Sequence, residues 1–185
     1  MEDDLTREQI MGMHELDLAV RLPMIEAIRE GEGGIIGFCE RAGMQPIFAE
    51  AERVDAENSA QTMAILDRVG WPTESMVGRE AAEAWTHLIA QRVSAEALHY
   101  SLPHLRAAAA RDEVSGMTMA EVEDRADVLH ARPQRYGTQW TQSPESGYEP
   151  HPLDDAVKVE ERRARLGLAS LADHKRRMEE VFGTP

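Results

Sequence analysis

The chain has 185 residues, 34 acidic against 20 basic, and a formal net charge of -14. That surplus repels a phosphate backbone and an anionic bilayer surface, so nucleic acid and membrane are poor partners. An aromatic content of 5% leaves few stacking platforms for single strands or sugars. One cysteine, Cys39, excludes an internal disulfide framework and suits a reducing cytoplasm.

The length suits a single helical domain over 1–185, with two closely packed subdomains as the other arrangement it allows. MEDDLTREQI is acidic where a secretory signal would be basic and then apolar, and no uninterrupted apolar run approaches membrane-spanning length. Apolar residues recur at helical spacing almost throughout, and no alternating stretch has the length a sheet needs. The expected fold is an all-α, single-domain bundle of about six or seven helices, with a long polar loop after the fifth.

In chain order, Thr6 and Gln9 have capping-box spacing and predict the start of a helix ending near Glu30. Its stripe runs Ile10, Met13, Leu16 or Asp17, Val20 and Met24. Residues 31–46 are a Gly-rich loop, because glycine resists helix by about 1 kcal/mol per residue relative to alanine. A second helix spans Ile47 to Val69 with Gly70 as its stop, on the stripe Ile47, Ala51, Val54, Asn58, Ile65 and Val69.

Ser75 or Gly78 opens a third helix with Ala81, Trp85, Leu88 and Arg92 on its inner line. Ser94 caps a fourth through Leu98, Leu102 and Leu105, which Pro103 kinks or divides. Thr118 and Glu121 form a second capping box, opening a helix with Met119, Val122, Ala126 and Leu129 that stops before Pro133. Residues 132–153 read as an irregular surface loop carrying Tyr136, Gly137, Thr138 and Gln139. Helices over Asp154 to Leu166, stopped by Gly167, and from a Ser170 cap to Phe182 complete the chain.

Polar residues at core-facing phases are the informative ones, since burying them unpaired costs roughly 1 to 3 kcal/mol. Asn58 sits on the Val54 and Ile65 line with Asp55 three residues before it. Arg92 extends the Trp85 line, Arg125 lies beside Asp124 between Val122 and Leu129, and Asp17 and Arg21 share a face at i,i+4. Singly, each suits a buried ion pair that sets helix register. Together, Asp17, Asp55, Asn58, Arg92 and Arg125 are more polar than a small bundle needs, and a site between helices explains the set better.

Other motifs are weaker. Glu96 and His99 have the spacing of a di-iron half-site without a second copy. His14 with Asp17, and Glu83 with His87, each offer two ligands on one helix face, a pattern more often solvated than metal-bound. No metal and no organic cofactor is expected, and no nucleophile elbow, phosphate loop or dinucleotide fingerprint is present. Cys39 reads as a spectator. Arg162, Arg163 and Arg165 alternate with acids as a solvated face from which one arginine can turn inward.

The stretches VDAENSAQTMAILDRVGWPTESMVG, AQ at Ala90 and Gln91, EDRADVLHARPQRYGTQ and VEERRARLGL resemble the bacterial family catalogued as domain of unknown function 6624. The likeness runs from about Val54 to Leu171, with a fainter match at Asp17 and Arg21. It implies polar family positions at Asp17, Arg21, Asp55, Asn58, Trp71, Gln91, Asp124, Arg125, Gln134, Tyr136, Gln139, Arg162 and Arg163. Two departures stand out: family members commonly read Gln-His-x-Asp where this chain has Gln91, Arg92, Val93 and Ser94, and Asp-Gln where it has Asp17 and Leu18. A permanent cation therefore replaces a histidine.

Two functional expectations follow. One is a small cytoplasmic enzyme, a hydrolase or isomerase or a tailoring step of a specialised pathway, acting on a small polar, anionic substrate between helices. Arg92, Arg125 and Arg162 would hold the anion, Asp55 or Asp124 would be the general base, and Tyr136 or Gln139 would orient the reacting group, with Thr138 beside them. The other is a non-catalytic small-molecule binder or interaction protein, favoured by Arg92. The chain would be a monomer or homodimer. The YGTQ segment is either a rigid lip over the pocket or a plug whose side chains satisfy helix ends.

Overall fold

A computed structural model describes residues 2–30, 45–91, 93–143 and 147–182. In order the elements are α1 (Glu2–Glu30), α2 (Gln45–Val69), α3 (Glu74–Val77), α4 (Arg79–Gln91), α5 (Ala95–Ala109), α6 (Gly116–Leu129), β1 (Trp140–Ser143), β2 (Gly147–Pro150), α7 (Ala156–Arg165) and α8 (Leu171–Phe182). The all-α expectation holds. The chain falls into two compact units, Met1–Ala97 and Leu98–Pro185.

In the first unit α2, α3 and α4 each pack against α1. The stripe on α1 is Ile10, Met13 and Asp17, all buried, while Leu16 is 36% exposed. A charged residue thus takes the inward position that either neighbour could have filled. Asp17 is tolerated there because Arg21 lies one turn on, at i,i+4. On α2 the inner line is Ala51, Val54, Asn58 and Ile65, and on α4 it is Ala81, Trp85 and Leu88.

Several helix starts and stops match expectation. Gly70, at φ +74°, ends α2 with its N–H on Leu66 O at 2.9 Å. The Ser94 hydroxyl caps α5 by accepting from Ala97 N at 3.2 Å. Thr6 corrects the expected start of α1. The helix begins at Glu2, whose acidic first turn of Glu2, Asp3 and Asp4 complements the dipole, and the Thr6 hydroxyl donates back to Glu2 O at 3.0 Å. The third expected helix is two: α3 follows Thr73, and α4 begins after Gly78 at φ +81°. Residues 31–44 of the glycine-rich stretch, Cys39 among them, lie outside the described residues, whereas Gln45 and Pro46 belong to α2.

In the second unit α5 runs through Pro103 without dividing. The ring faces water, where the carbonyl it leaves unpaired can be solvated, and Leu102 and Leu105 bury themselves on either side of it. Ser115, not Thr118, caps α6, accepting from Thr118 N at 3.0 Å. Thr118 and Glu121 therefore sit inside the helix rather than forming a box. The expected loop after α6 contains an antiparallel pair, β1 against β2, in the register Trp140↔Pro150 to Ser143↔Gly147. Strands of four residues are too short to show an alternating period, so composition alone read them as loop. Asp155 caps α7 through Val157 and Lys158 N–H, Gly167 follows its end at φ +70°, and Ser170 caps α8.

Candidate functional site

In the first unit the polar residues of α1, α2 and α4 form one chain of charge. Arg21 donates Nε to Asp17 Oδ1 at 3.3 Å and Nη2 to both oxygens of Asp55 at 2.5 Å. Burial works against its charge, but the hydrogen bonds and charges of Asp55 and then Asp17 raise the guanidinium above its ordinary value. Asp17 is fully buried, and its other oxygen, Oδ2, lies 3.7 Å from Nε2 of His87. The His14 ring meets His87 edge-on with centroids 5.6 Å apart.

The spacing explains the convergence. His14, Asp17 and Arg21 lie at i, i+3 and i+7 on α1, while Asp55, Asn58 and Thr62 repeat that pattern on α2. Ser59 beside them is occupied: its hydroxyl donates to Asp55 O at 2.7 Å and accepts from Ser94 N at 2.8 Å. Trp71 packs edge-on against Trp85 at 5.9 Å, both buried.

This unit also contains the unpaired polar atoms. Asn58 Nδ2 and Oδ1, Thr62 Oγ1, Trp85 Nε1 and His87 Nε2 are buried without a hydrogen-bond partner among the described residues. Each such group costs roughly 1 to 3 kcal/mol when nothing meets it. They sit on α2 and α4 of this unit.

The polar residues of the second unit are committed to its own backbone. Asp124, fully buried, accepts from the amides of Arg135 at 2.8 Å, Tyr136 at 3.0 Å and Thr138 at 2.8 Å, and from the Thr138 hydroxyl at 2.9 Å. Burial pushes its carboxyl above the ordinary range, against the pull of these four donors. Gln134 donates Nε2 to Gln139 O and His151 O and accepts from Gln139 N, closing the loop onto the stretch after β2. The Gln139 side chain donates to the Thr138 hydroxyl at 3.3 Å.

Arg163 is the arginine that turns inward, 1% exposed, reaching Ala169 O and Tyr136 O at 2.6 Å each. Arg162 pairs with Asp154 at 2.6 Å and donates to Arg135 O at 3.1 Å. Tyr136 is buried, and burial, then the nearby Glu123 charge, pushes its hydroxyl above the ordinary value, so the phenol keeps its proton. Arg125 is half-buried on α6.

The expected site residues thus divide between the units: Asp17, Arg21, Asp55, Asn58 and Trp71 in the first, Asp124, Arg125, Gln134, Tyr136, Thr138, Gln139 and Arg162 in the second. Arg92 and the side chain of Gln91 lie outside the described residues. Sequence reading passed over His14 and His87 as site residues. The His14 and Asp17 spacing was the available signal, and it acquires meaning only once α4 brings His87 to the same face. Among the described residues no group of three or more His, Cys, Asp or Glu is arranged to hold a metal ion, and no helix is long and apolar enough to cross a membrane.

No curated protein and no solved structure matches the chain. The model of a family of unknown function, DUF6624, matches residues 3–185, nearly the whole chain. The protein therefore belongs to the DUF6624 family.

Proposed function

We propose that the protein is a small acid–base enzyme, hydrolase- or isomerase-like, that takes a small polar substrate against the inner faces of α1, α2 and α4. His87 is the proton-transfer group, and the buried carboxylate of Asp17 lies beside its ring. Imidazole is the side chain best suited to exchange a proton near neutrality, and a buried carboxylate near one ring nitrogen favours the charged ring through space. The observation that carries the reading is the 3.7 Å approach of Asp17 Oδ2 to His87 Nε2, a buried ring nitrogen with no hydrogen-bond partner among the described residues.

Asp55, expected as a general base, is held by both of its oxygens on Arg21 and serves to fix α2 to α1. Arg21 is in turn held by two carboxylates and serves the packing of α1 on α2 rather than the capture of an anion. Asp124 and Gln134 hold the loop that carries Tyr136 and do not need to meet substrate.

The test is to incubate the protein with a cell-derived metabolite extract and follow composition by mass spectrometry. Depletion of one metabolite by the wild type, lost in His87→Gln with circular dichroism unchanged, supports the enzyme. A compound that stabilises the fold and is recovered unaltered supports the binder instead.

A further inference from the structure

On α5, Glu96 and His99 have the spacing of a di-iron half-site, and the fold sets a second histidine, His130 at the end of α6, beside them. The rings of His99 and His130 lie 5.8 Å apart between centroids, tilted by 58°. Both residues are exposed, so an ion reaches them from solution without any opening in the core. Two imidazoles bound through nitrogen at about 2.0–2.1 Å to one zinc ion have centroids roughly 5 to 6 Å apart. The observed separation is that of a chelating pair.

The surroundings of His130 favour a bound cation. Its Nδ1 lies 2.8 Å from Ala126 O, and a carbonyl only accepts, so Nδ1 carries the hydrogen and the lone pair of the neutral ring is on Nε2. Metal-binding histidines are typically fixed in this way, by a hydrogen bond from the other ring nitrogen to a carbonyl or carboxylate. His130 is also the C-cap of α6, where the helix dipole attracts positive charge. Glu96, exposed one turn before His99, adds negative charge, and Arg132 is directed onto Asp127, Nε to Oδ1 at 2.9 Å. His14 and His87 have a similar separation of 5.6 Å, but Nε2 of His87 is buried and Arg21 stands at the neighbouring carboxylate.

We propose that His99 and His130 form a two-ligand site for a late first-row divalent cation, of the class of zinc and nickel, which ties α5 to the end of α6. Water completes the coordination, since no third His, Cys, Asp or Glu is arranged to hold the ion among the described residues. Imidazole suits these ions, whereas calcium and magnesium take oxygen ligands. The pair belongs to the second unit and does not rest on the acid–base reading of His87.

The test is isothermal titration calorimetry of the full chain, without a polyhistidine tag, against the chlorides of zinc, nickel and magnesium. Zinc and nickel are expected to bind and magnesium is not. His99→Gln and His130→Gln are each expected to weaken zinc binding about tenfold or more, and His14→Gln to leave it as in the wild type. His130→Gln also loses the contact with Ala126 O, so His99→Gln, which leaves the helix cap intact, decides if that variant misfolds. No binding of zinc or nickel to the wild type overturns the proposal. So does undiminished zinc binding in His99→Gln, because the ion would then be held by other groups.

Discussion

Thr138 donates twice to a single oxygen of Asp124, through its amide at 2.8 Å and its hydroxyl at 2.9 Å. The other oxygen takes the amides of Arg135 and Tyr136. Four donors on one buried carboxylate make the YGTQ segment a locked turn over α6. Asp124→Asn puts an NH2 group against two donors whichever way the amide is turned. It is expected to cost the second unit about 3 kcal/mol, measured by urea denaturation. An unchanged midpoint would mean that the loop is held by something other than this carboxylate.

Arg21 joins two carboxylates, one of them fully buried. Arg21→Met removes the guanidinium that Asp17 and Asp55 share and is expected to destabilise the protein by roughly 3 to 5 kcal/mol. Adding Asp17→Asn to that variant should recover part of the loss, since the buried carboxylate charge is then gone. A double-mutant cycle reads the coupling directly, and strictly additive losses would contradict the pairing.

His174 stacks on Trp140 with ring centroids 5.5 Å apart. Burial, then the charges of Arg163 and Arg177, hold its imidazole below its ordinary value of 6.5. The folded state therefore binds this proton less readily than the unfolded chain. Stability from the neutral ring is fully present above 6.5 and is lost as the pH falls through the lower folded value. Wild type should lose more melting temperature than His174→Phe on acidification from about pH 7 to about pH 5.5, the range in which an imidazole charges. Parallel curves for the two proteins would refute the assignment.

Gly137 has φ +70°, and a Cβ placed on it would lie 2.5 Å from Cδ2 of Leu171. Gly137→Ala is expected to cost about 2 kcal/mol, from left-handed strain and displacement of the Leu171 side chain. Gly12, inside α1 with nothing within 4 Å of a Cβ, is the contrast. Gly12→Ala should stabilise by up to about 1 kcal/mol. Thermal denaturation of the pair distinguishes a required glycine from an incidental one.

Local chemistry made most helices legible. Gly70, Ser94, Gly167 and Ser170 each act within a turn of their own position, so their effect can be read without knowing what packs nearby. Thr6 and Thr118 misled because a hydroxyl bonds equally well inside a helix, and the true starts depended on acids and a serine a few residues upstream. The β1 and β2 pair was illegible for a different reason. Four residues carry too little period, and pairing is a property of two segments rather than one.

The sequence by itself determined a helical, acidic chain with polar residues set into apolar stripes, because helical periodicity and capping are properties of neighbours along the backbone. Only the tertiary structure decided which polar residues face each other. Asp17 rather than Leu16 turns inward beside Arg21, which supplies a counter-charge and also reaches Asp55 of α2, and His87 meets these residues because α4 packs on the face of α1 that carries His14 and Asp17. Between Asp17 and His87 lie 69 residues, and across such a distance only packing, which has no local pattern, can set two side chains 3.7 Å apart.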